Sequence, residues 1–258
     1  MTTFSHSGST GDTFSSLVAV KILGGGDFYL RLNNIEKMIQ EKLGWPDAGR
    51  HKGRMTQDDY DQMRELMLHQ SYINSFETYN GEQIDYELEN ACLHLETGTI
   101  PRNFPNQHAK AQGIDIKKHF RELQIDPYME CRETRKFPGR PIVIFRAPHY
   151  QDGNEAMSPT WKDLVDRGLS EQAVFIGLEE DHQWFEESLK VVVPHYRTPD
   201  FMEMARVIQG SELFISSMSS PCALALALGK TMWIETRKNE PFERLEVYYP
   251  NRLNITYF

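Results

Sequence analysis

Four serines near the end of the chain stand between a short apolar segment and a run of small apolar residues. The apolar segment, residues 213–215, predicts a buried strand, and the serines are Ser216, Ser217, Ser219 and Ser220. Pro221 predicts a helix over residues 222–228, because proline is favoured in a first helical turn and the preceding serine is a good N-cap. First-turn amides and the helix dipole bind anions, so this serine turn (residues 216–220) is either a phosphate site or an ordinary capped helix.

A second strand, turn and helix is predicted at the start of the chain. Residues 2–5 are predicted to form a short strand, residues 5–12 a glycine-containing turn, and residues 13–23 a helix with apolar residues at helical spacing. Asp12 falls at the cap or in the first turn, where its charge is stabilised, so it is either a cap or a carboxylate for chemistry. The spacing is not GxGxxG, and the chain has no GxxxxGK[ST], so neither a dinucleotide oxidoreductase nor a P-loop hydrolase is indicated.

The elements that must position these turns alternate in type along the second half of the chain. Segments typical of strands lie at residues 141–145, 173–176, 190–193, 213–215 and 231–234, with helical patterns between them. Such alternation predicts a parallel sheet with right-handed crossovers. Ligands bind outside the carboxyl ends of the strands, where Arg146, Glu179 and the serine turn should therefore lie.

The first half of the chain is less regular. It predicts a strand over residues 27–32, a helix over residues 56–69 and a half-buried strand ending at residues 84–88. The charged segment at residues 132–141 contains two prolines and a glycine and is the best linker candidate. We therefore predict two α/β domains, residues 1–138 and 139–258, with parallel sheets.

Composition and charge bear on the class of protein and its partners. No segment approaches the ~20 consecutive apolar residues that a membrane helix needs, and the first twelve residues lack the basic and apolar regions of a signal peptide. Three widely spaced cysteines, Cys92, Cys131 and Cys222, favour free thiols and a cytoplasmic location. The net charge of −9 disfavours a polyanionic partner, although the basic cluster at residues 50–54 keeps DNA open.

The histidines are predicted to be ordinary surface or core residues, and no metal site is predicted. This prediction applies to His6, His149, His182 and His195, which are isolated in the sequence. No cluster with metal-ligand spacing stands out in the sequence.

Several segments together resemble the heptosyltransferase-like glycosyltransferases of family nine, which have the GT-B plan of two Rossmann-like domains facing a cleft. Residues 9–17, STGDTFSSL, resemble the first loop of that family, which carries a Gly-Asp pair before a helix. Phe145-Arg146 with Trp161 downstream, residues 175–182 and residues 200–228 resemble successive segments of its donor domain. The resemblance covers the first 30 residues and most of residues 140–235.

On the acceptor side, the resemblance implies that Asp12 is the general base for an attacking hydroxyl. A carboxylate within hydrogen-bond reach of that hydroxyl suits this chemistry. The neighbouring residues of the loop would bind the acceptor, namely Ser9, Thr10, Gly11 and Thr13. The acceptor is left open between a carbohydrate and a hydroxymethylated DNA base.

On the donor side, the resemblance implies a nucleotide-sugar substrate and no cofactor. Glu179 or Glu180 would hold the ribose, because a carboxylate accepts from two hydroxyls. Arg146 would neutralise the diphosphate leaving group. The serine turn would hold the same diphosphate through Ser217, Met218, Ser219 and Ser220.

The chain also departs from the family pattern. Met218 stands where many members have an aspartate, and Ala223 stands where a histidine is expected. These departures argue against ADP-heptose as donor, and the compact length resembles versions found in phage genomes. Two alternatives stay open: a non-catalytic nucleotide- or phosphosugar-binding protein in which Asp12 only caps its helix, and, less well supported, an epimerase-like protein.

Overall fold

The computed structural model describes residues 1–32, 55–89, 91, 104–147, 159–235 and 255–257. The described residues form two compact units, one up to Glu130 and the other from Cys131 onward. The division therefore falls before the segment at residues 132–141 and not after residue 138. The basic cluster at residues 50–54, together with Cys92 and His149, lies outside the described residues.

The first unit is built on a parallel sheet. Its described strands are β1 (Thr3–His6), β2 (Gly26–Leu30), β3 (Ile73–Thr78) and β4 (Tyr86–Glu87), in the order β3-β2-β1-β4. Its described helices are α1 (Thr10–Ile22), α2 (Gln57–Leu68), α3 (Phe104–Ala111) and α4 (Phe120–Gln124). The strand predicted over residues 84–88 is thus only two residues long.

Helix α1 is the buried centre of the first unit. Its side chains from Thr13 to Val20 are all buried, and the helix packs against α3 and α4. The two serines in this stretch do not break the helix, because their hydroxyls donate to carbonyls of the preceding turn: Ser15 to Gly11 at 3.0 Å and Ser16 to Thr13 at 2.8 Å. The helix begins at Thr10, three residues earlier than predicted, since Ser9 is its N-cap.

The second unit is built on a larger parallel sheet. Its described strands are β5 (Ile142–Phe145), β6 (Ala173–Ile176), β7 (His195–Tyr196), β8 (Leu213–Ser217), β9 (Met232–Glu235) and β10 (Ile255–Tyr257), in the order β10-β9-β8-β5-β6-β7. Its described helices are α5 (Pro159–Asp166), α6 (Leu169–Gln172), α7 (Glu179–Leu189), α8 (Phe201–Gly210) and α9 (Ser220–Ala227). Aromatic and branched side chains such as Trp161, Phe175 and Ile215 form its core.

The strand predicted over residues 190–193 is wrong. Helix α7 extends to Leu189, and Lys190 ends it in the left-handed conformation with φ 53°. The following valines alternate between buried and exposed, with Val192 82% exposed, but they are not paired in the sheet. Pairing begins after Pro194, at His195, which lies opposite Phe175 of β6. The run of valines follows directly on a helix end and is followed by Pro194, so pairing in the sheet starts only at His195.

The segment at residues 131–140 packs against the second unit. The Arg135 amide donates to the Arg206 carbonyl at 2.9 Å, and the Arg135 guanidinium pairs with Glu203. The Phe137 ring lies edge-on to Tyr196, with ring centroids 5.1 Å apart. This segment, which was the best linker candidate, therefore contacts helix α8 through Arg135 and strand β7 through Phe137.

The predicted fold class is confirmed as mixed α/β with parallel sheets in both units. Every helix among the described residues is too short or too polar to cross a membrane.

Candidate functional site

The first helix begins with a capping box at the carboxyl end of β1. The Ser9 hydroxyl accepts from the Asp12 amide at 3.3 Å, and Asp12 Oδ2 accepts from the Ser9 amide at 3.3 Å and from the Ser9 hydroxyl at 2.8 Å. This arrangement pairs backbone donors that the helix itself leaves open. Asp12 therefore lies in the first turn, as predicted, and it is a cap.

Capping uses only one of the two carboxylate oxygens of Asp12. Oδ1 accepts no hydrogen bond from any described residue, and the side chain is partly exposed. Burial raises the pKa of Asp12 above its ordinary value, and the hydrogen bonds from Ser9 oppose that rise. The result is a fixed carboxylate with one open oxygen and an increased proton affinity, which are properties of a general base.

The other loop residues predicted to bind the acceptor surround Asp12. The Thr13 hydroxyl is turned into the helix and donates to the Ser9 carbonyl at 3.1 Å, while Gly11 is partly exposed. The Thr10 hydroxyl contacts the Met55 sulfur at 3.7 Å and is buried. Ser9 and Gly11 are therefore better placed to meet a ligand than Thr10 and Thr13.

His6 is a buried neighbour of this loop that was not predicted to be functional. Its Nδ1 accepts from the Gly8 amide at 2.8 Å, so the proton lies on Nε2, which is buried and has no partner among the described residues. Burial, with a smaller effect from His108, holds the pKa of His6 well below its ordinary value, so the ring is neutral. A Cβ added to Gly8 would lie 2.6 Å from His6 Cε1 and 3.3 Å from Asp12 Oδ2, which places Gly8 between them.

A buried carboxylate lies beside the same strand end. Glu89 accepts from the Ser5 hydroxyl at 3.2 and 3.3 Å and lies 3.4 Å from Nε of Arg31. Burial raises the pKa of Glu89, and Arg31 and Ser5 oppose that rise. Glu89 follows β4 and lies far from β1 in the sequence. It could not be placed beside Ser5 without knowing that β1 pairs with β4.

In the second unit, the serine turn follows β8, and the N-cap of helix α9 lies one residue earlier than predicted. Ser219, not Ser220, is the N-cap, and its side chain makes no capping hydrogen bond. The Ser219 hydroxyl instead donates to the Ser217 carbonyl at 3.0 Å, as does Ser216 at 2.7 Å. The Ser219 side chain therefore does not cap the first turn of α9, and Pro221 has no amide to cap.

Arg146 lies at the carboxyl end of β5, as predicted, but it already has a counter-ion. Its Nε and Nη2 donate to the two carboxylate oxygens of Glu235 at 2.6 and 2.7 Å, and both side chains are buried. Nη1 is buried and has no partner among the described residues. The guanidinium also lies 4.7 Å from the Trp184 ring centroid. Sequence reasoning missed Glu235, although a carboxylate directly after the predicted strand at residues 231–234 was a usable signal.

The strand ends of β5 and β8 meet through Ser217. Its hydroxyl accepts from the Ala147 amide at 3.1 Å, so the residue after Arg146 contacts the serine turn directly. Met218 is buried, whereas Ser219 and Ser220 are partly exposed. The structure therefore brings together Arg146 and the predicted diphosphate-binding residues.

Glu179 and Glu180 begin helix α7 after β6, and they differ in their contacts. Glu179 accepts from Gln183 at 3.1 Å and lies 3.0 Å from His195 Nδ1. The hydrogen bond from Gln183, helped by His195, lowers the pKa of Glu179. Glu180 is exposed and accepts no hydrogen bond from any described residue. Neither is hydrogen-bonded to the serine turn within the described part of the chain.

Glu179, His182 and His195 form a group that sequence reasoning did not predict. Each has one potential ligand atom, and these atoms all lie within 4.8 Å of one another. The group depends on the true start of α7, which puts Glu179 and His182 three residues apart on one helix, and on β7, which carries His195. The wrong strand prediction at residues 190–193 concealed it.

Solved structures similar to this chain are glycosyltransferases. The glycosyl transferase family 9 protein of Veillonella parvula DSM 2008 aligns with all of this chain and 85% of its own, at a TM-score of 0.58 and 9% identity. E. coli heptosyltransferase WaaC with ADP aligns with all of this chain and 92% of its own, at 0.57 and 11%. TibC of enterotoxigenic E. coli, in complex with ADP-D-β-D-heptose, aligns with 97% of this chain and 62% of its own, at 0.52 and 12%.

No protein-family model matches the chain, and no curated protein matches it in sequence. The suggested resemblance to phage versions finds no support among the similar structures and stays a prediction. Identities of 9 to 12% establish the fold alone. On the agreement of its two α/β units with these structures, the chain has a heptosyltransferase-like glycosyltransferase fold.

Proposed function

We propose that this protein is a glycosyltransferase that moves a sugar from a nucleotide-sugar donor to an acceptor hydroxyl, with Asp12 as the general base. Similarity to three glycosyltransferase structures supports the reaction class. One of them holds ADP and another holds ADP-D-β-D-heptose, which supports a nucleotide sugar as the donor. Met218 in the serine turn and Ala223 in helix α9, which replace an aspartate and a histidine of the family pattern, support a sugar other than heptose.

The observation that carries the proposal is the state of Asp12. Asp12 Oδ2 accepts hydrogen bonds from Ser9, while Oδ1 accepts none from any described residue. Burial raises the pKa of the Asp12 carboxyl group. In direct displacement, the acceptor hydroxyl passes its proton to this open oxygen as its own oxygen bonds to the anomeric carbon. The bond from that carbon to the nucleoside diphosphate breaks, and the diphosphate leaves with the electron pair.

We assign the donor diphosphate to the serine turn and the first turn of α9. The Ser219 side chain does not cap this turn, and Ser219 and Ser220 are partly exposed, which supports binding of an anion at this helix start. Arg146 contributes less charge than expected, because Glu235 neutralises it, and only Nη1 is left to donate to a phosphate oxygen. We assign the ribose to Glu180, since both oxygens of Glu179 are already engaged.

The acceptor stays open between a carbohydrate and a hydroxymethylated DNA base. Salt separates the two, because each phosphate contact that a protein makes with DNA releases counter-ions and weakens binding as salt rises. Activity that falls steeply between 50 and 200 mM salt, on the order of 10³-fold for a contact set of several phosphates, supports DNA. Activity that is insensitive to salt supports the carbohydrate.

The decisive experiment compares Asp12→Asn with Asp59→Asn. Asp59 occupies the same position in a second capping box at α2, where it accepts from the Thr56 amide at 2.8 Å and hydroxyl at 2.7 Å. Donors are first identified by thermal shift against a panel of nucleotide sugars, and transfer and ADP affinity are then measured. We expect Asp12→Asn to lower kcat by about 10² to 10⁴-fold with unchanged ADP affinity, and Asp59→Asn to keep both.

The main competitor is a binding protein without catalysis, which the capping role of Asp12 favours. In that case the panel yields nucleotide-sugar binding but neither transfer nor hydrolysis with any acceptor tried. Equal activity of the Asp12→Asn variant and the unchanged protein would remove Asp12 as the base, even if transfer itself is observed.

A further inference from the structure

We propose that Glu179, His182 and His195 form a binding site for a divalent transition-metal ion. Two imidazoles and one carboxylate are a donor set used by zinc and by non-haem iron. The ligand atoms lie within 4.8 Å of one another, against about 3.3 Å between donors that each bind zinc at 2.0–2.1 Å. The proposal does not depend on the proposed transferase activity.

The contacts of the two His195 ring nitrogens favour a cation at this position. Its Nε2 lies 2.9 Å from the Gly177 carbonyl and its Nδ1 lies 3.0 Å from a carboxylate oxygen of Glu179. Both oxygens can only accept, whereas a neutral imidazole has a single N–H to donate. One ring nitrogen therefore faces an acceptor with its lone pair, unless a second proton or a metal ion is bound there.

His182 favours a metal ion over a second proton. Its Nε2 lies 2.7 Å from the Val193 carbonyl, so this nitrogen carries the hydrogen and Nδ1 has the lone pair. In the described part of the chain, that Nδ1 is buried without a hydrogen-bond partner. A proton on His195 would leave it unsatisfied, whereas a metal ion shared by the three residues would use it. The His182 residue is 8% exposed, so this lone pair is costly to leave unpaired.

Both histidines are oriented as metal ligands usually are. A ligating histidine typically donates its second ring N–H to a carboxylate or a backbone carbonyl, which fixes the tautomer and the ring. Here the acceptors are the carbonyls of Gly177 and Val193. Gly177 has φ 120°, and a Cβ on it would lie 2.8 Å from the Phe145 ring, so this turn requires glycine.

The ligands lie on a helix and a strand, and the site is exposed to solvent on the Glu179 side. His182 lies in helix α7 and His195 in strand β7, and their rings are nearly parallel with centroids 4.6 Å apart. The Glu179 side chain is 57% exposed, whereas that of His195 is 12% exposed. Three protein ligands with a solvent-facing side match sites in which water or a substrate takes the remaining position.

The test measures metal binding directly. The chelator-treated full-length protein is titrated with Zn²⁺ by calorimetry, and Co²⁺ is added to record its absorption spectrum. We expect one ion per chain, a Co²⁺ spectrum of nitrogen and oxygen ligands, and a higher unfolding temperature with Zn²⁺. We expect Glu179→Gln and His195→Gln each to weaken Zn²⁺ binding at least tenfold, with Glu187→Gln, an exposed carboxylate of the same helix, as the matched control.

Glutamine at position 195 keeps a donor for the Gly177 carbonyl, and Glu179 is exposed, so at least one variant should fold. No Zn²⁺ binding by the unchanged protein, equal binding by Glu179→Gln and the Glu187→Gln control, or thiolate bands in the Co²⁺ spectrum would each overturn the site. Sugar transfer does not enter these readouts, so failure of the metal site and failure of the transferase proposal are separate results.

Discussion

Two helix starts that follow parallel strands, Ser9 before α1 and Ser219 before α9, share an N-cap serine and have opposite chemistry. At Ser9 the hydroxyl and the Asp12 carboxylate pair with first-turn and N-cap amides. At Ser219 the side chain makes no capping bond, because its hydroxyl donates back to the Ser217 carbonyl. The first start presents a carboxylate oxygen, whereas the second has an N-cap serine whose side chain does not cap its helix.

This difference shows that a strand, serine turn and helix does not by itself make an anion site. Helix dipoles favour negative charge at both positions, but at α1 the chain supplies its own carboxylate. At α9 the described residues supply none, which leaves the positive end for a ligand. The same motif therefore suits an acceptor base in one unit and a donor diphosphate in the other, and three predictions examine this contrast.

The largest expected effect comes from making the second start resemble the first. Ser219→Asp places a carboxylate at the N-cap, where it covers first-turn amides and interacts favourably with the helix dipole. We expect ADP affinity to fall about 100-fold, since like charges placed together cost several kcal/mol, while the unfolding temperature stays level or rises. Calorimetry with ADP and thermal unfolding measure the two.

Ser219→Asn is the matched control, because asparagine caps as well as aspartate but carries no charge. It should retain most of the ADP affinity. If Ser219→Asp binds ADP as tightly as Ser219→Asn does, the diphosphate lies elsewhere.

A smaller effect separates the two serines by stability. Ser9→Ala removes the hydroxyl that accepts from the Asp12 amide and donates to Asp12 Oδ2, and should lower the free energy of unfolding by about 1 kcal/mol. Ser219→Ala removes no cap and should cost no more than about 0.5 kcal/mol. Urea unfolding of each unit, followed by a probe within it, gives the two values; equal losses would mean that both hydroxyls cap their helices in solution.

The smallest effect is a pH dependence confined to the first start. The folded-state pKa of Asp12 is raised above the 3.8 of the free side chain. The stability that this difference contributes to the folded state is therefore fully present below pH 3.8. It is lost as pH rises through the folded-state pKa, because the native state then gives up a proton that it binds more tightly than the unfolded state. Relative to the unchanged protein, Asp12→Asn should therefore gain stability between pH 4 and pH 7.

Denaturant unfolding at each pH measures this difference, and the Ser219→Asn variant serves as the reference without a titrating group at the changed position. A difference between Asp12→Asn and the unchanged protein that is constant with pH, or that moves the other way, would mean that the carboxylate is not held with a raised pKa.

Much of the fold followed from local patterns. The strand predicted at residues 173–176 is found at Ala173–Ile176, and Asp200 caps α8, accepting from the Glu203 amide at 2.7 Å. Continuous apolar runs and capping residues act over a few positions, so they can be identified without the tertiary structure. The strand predicted at residues 190–193 was wrong because the end of helix α7 and Pro194, rather than the run of valines, decide where pairing begins.

The sites were predictable only in part, and the reason is the same in each case. Arg146 was located correctly, but its partner Glu235 is 89 residues away and meets it only because β5 and β9 flank β8 in the sheet. His182 and His195 read as isolated histidines until the sheet register set β7 beside β6. Contacts between distant segments depend on strand order and register, which local sequence does not specify.

By itself, the sequence determined that each end of the chain has a strand, a serine-containing turn and a helix, because apolar spacing and cap residues are local properties. Tertiary structure alone decided what those turns and their neighbours are free to do. It fixed one oxygen of Asp12 and left the other open, turned the Ser219 hydroxyl away from its helix, and neutralised Arg146 with Glu235. Burial and long-range pairing set proton affinity and available donors, and both arise only when the sheets assemble.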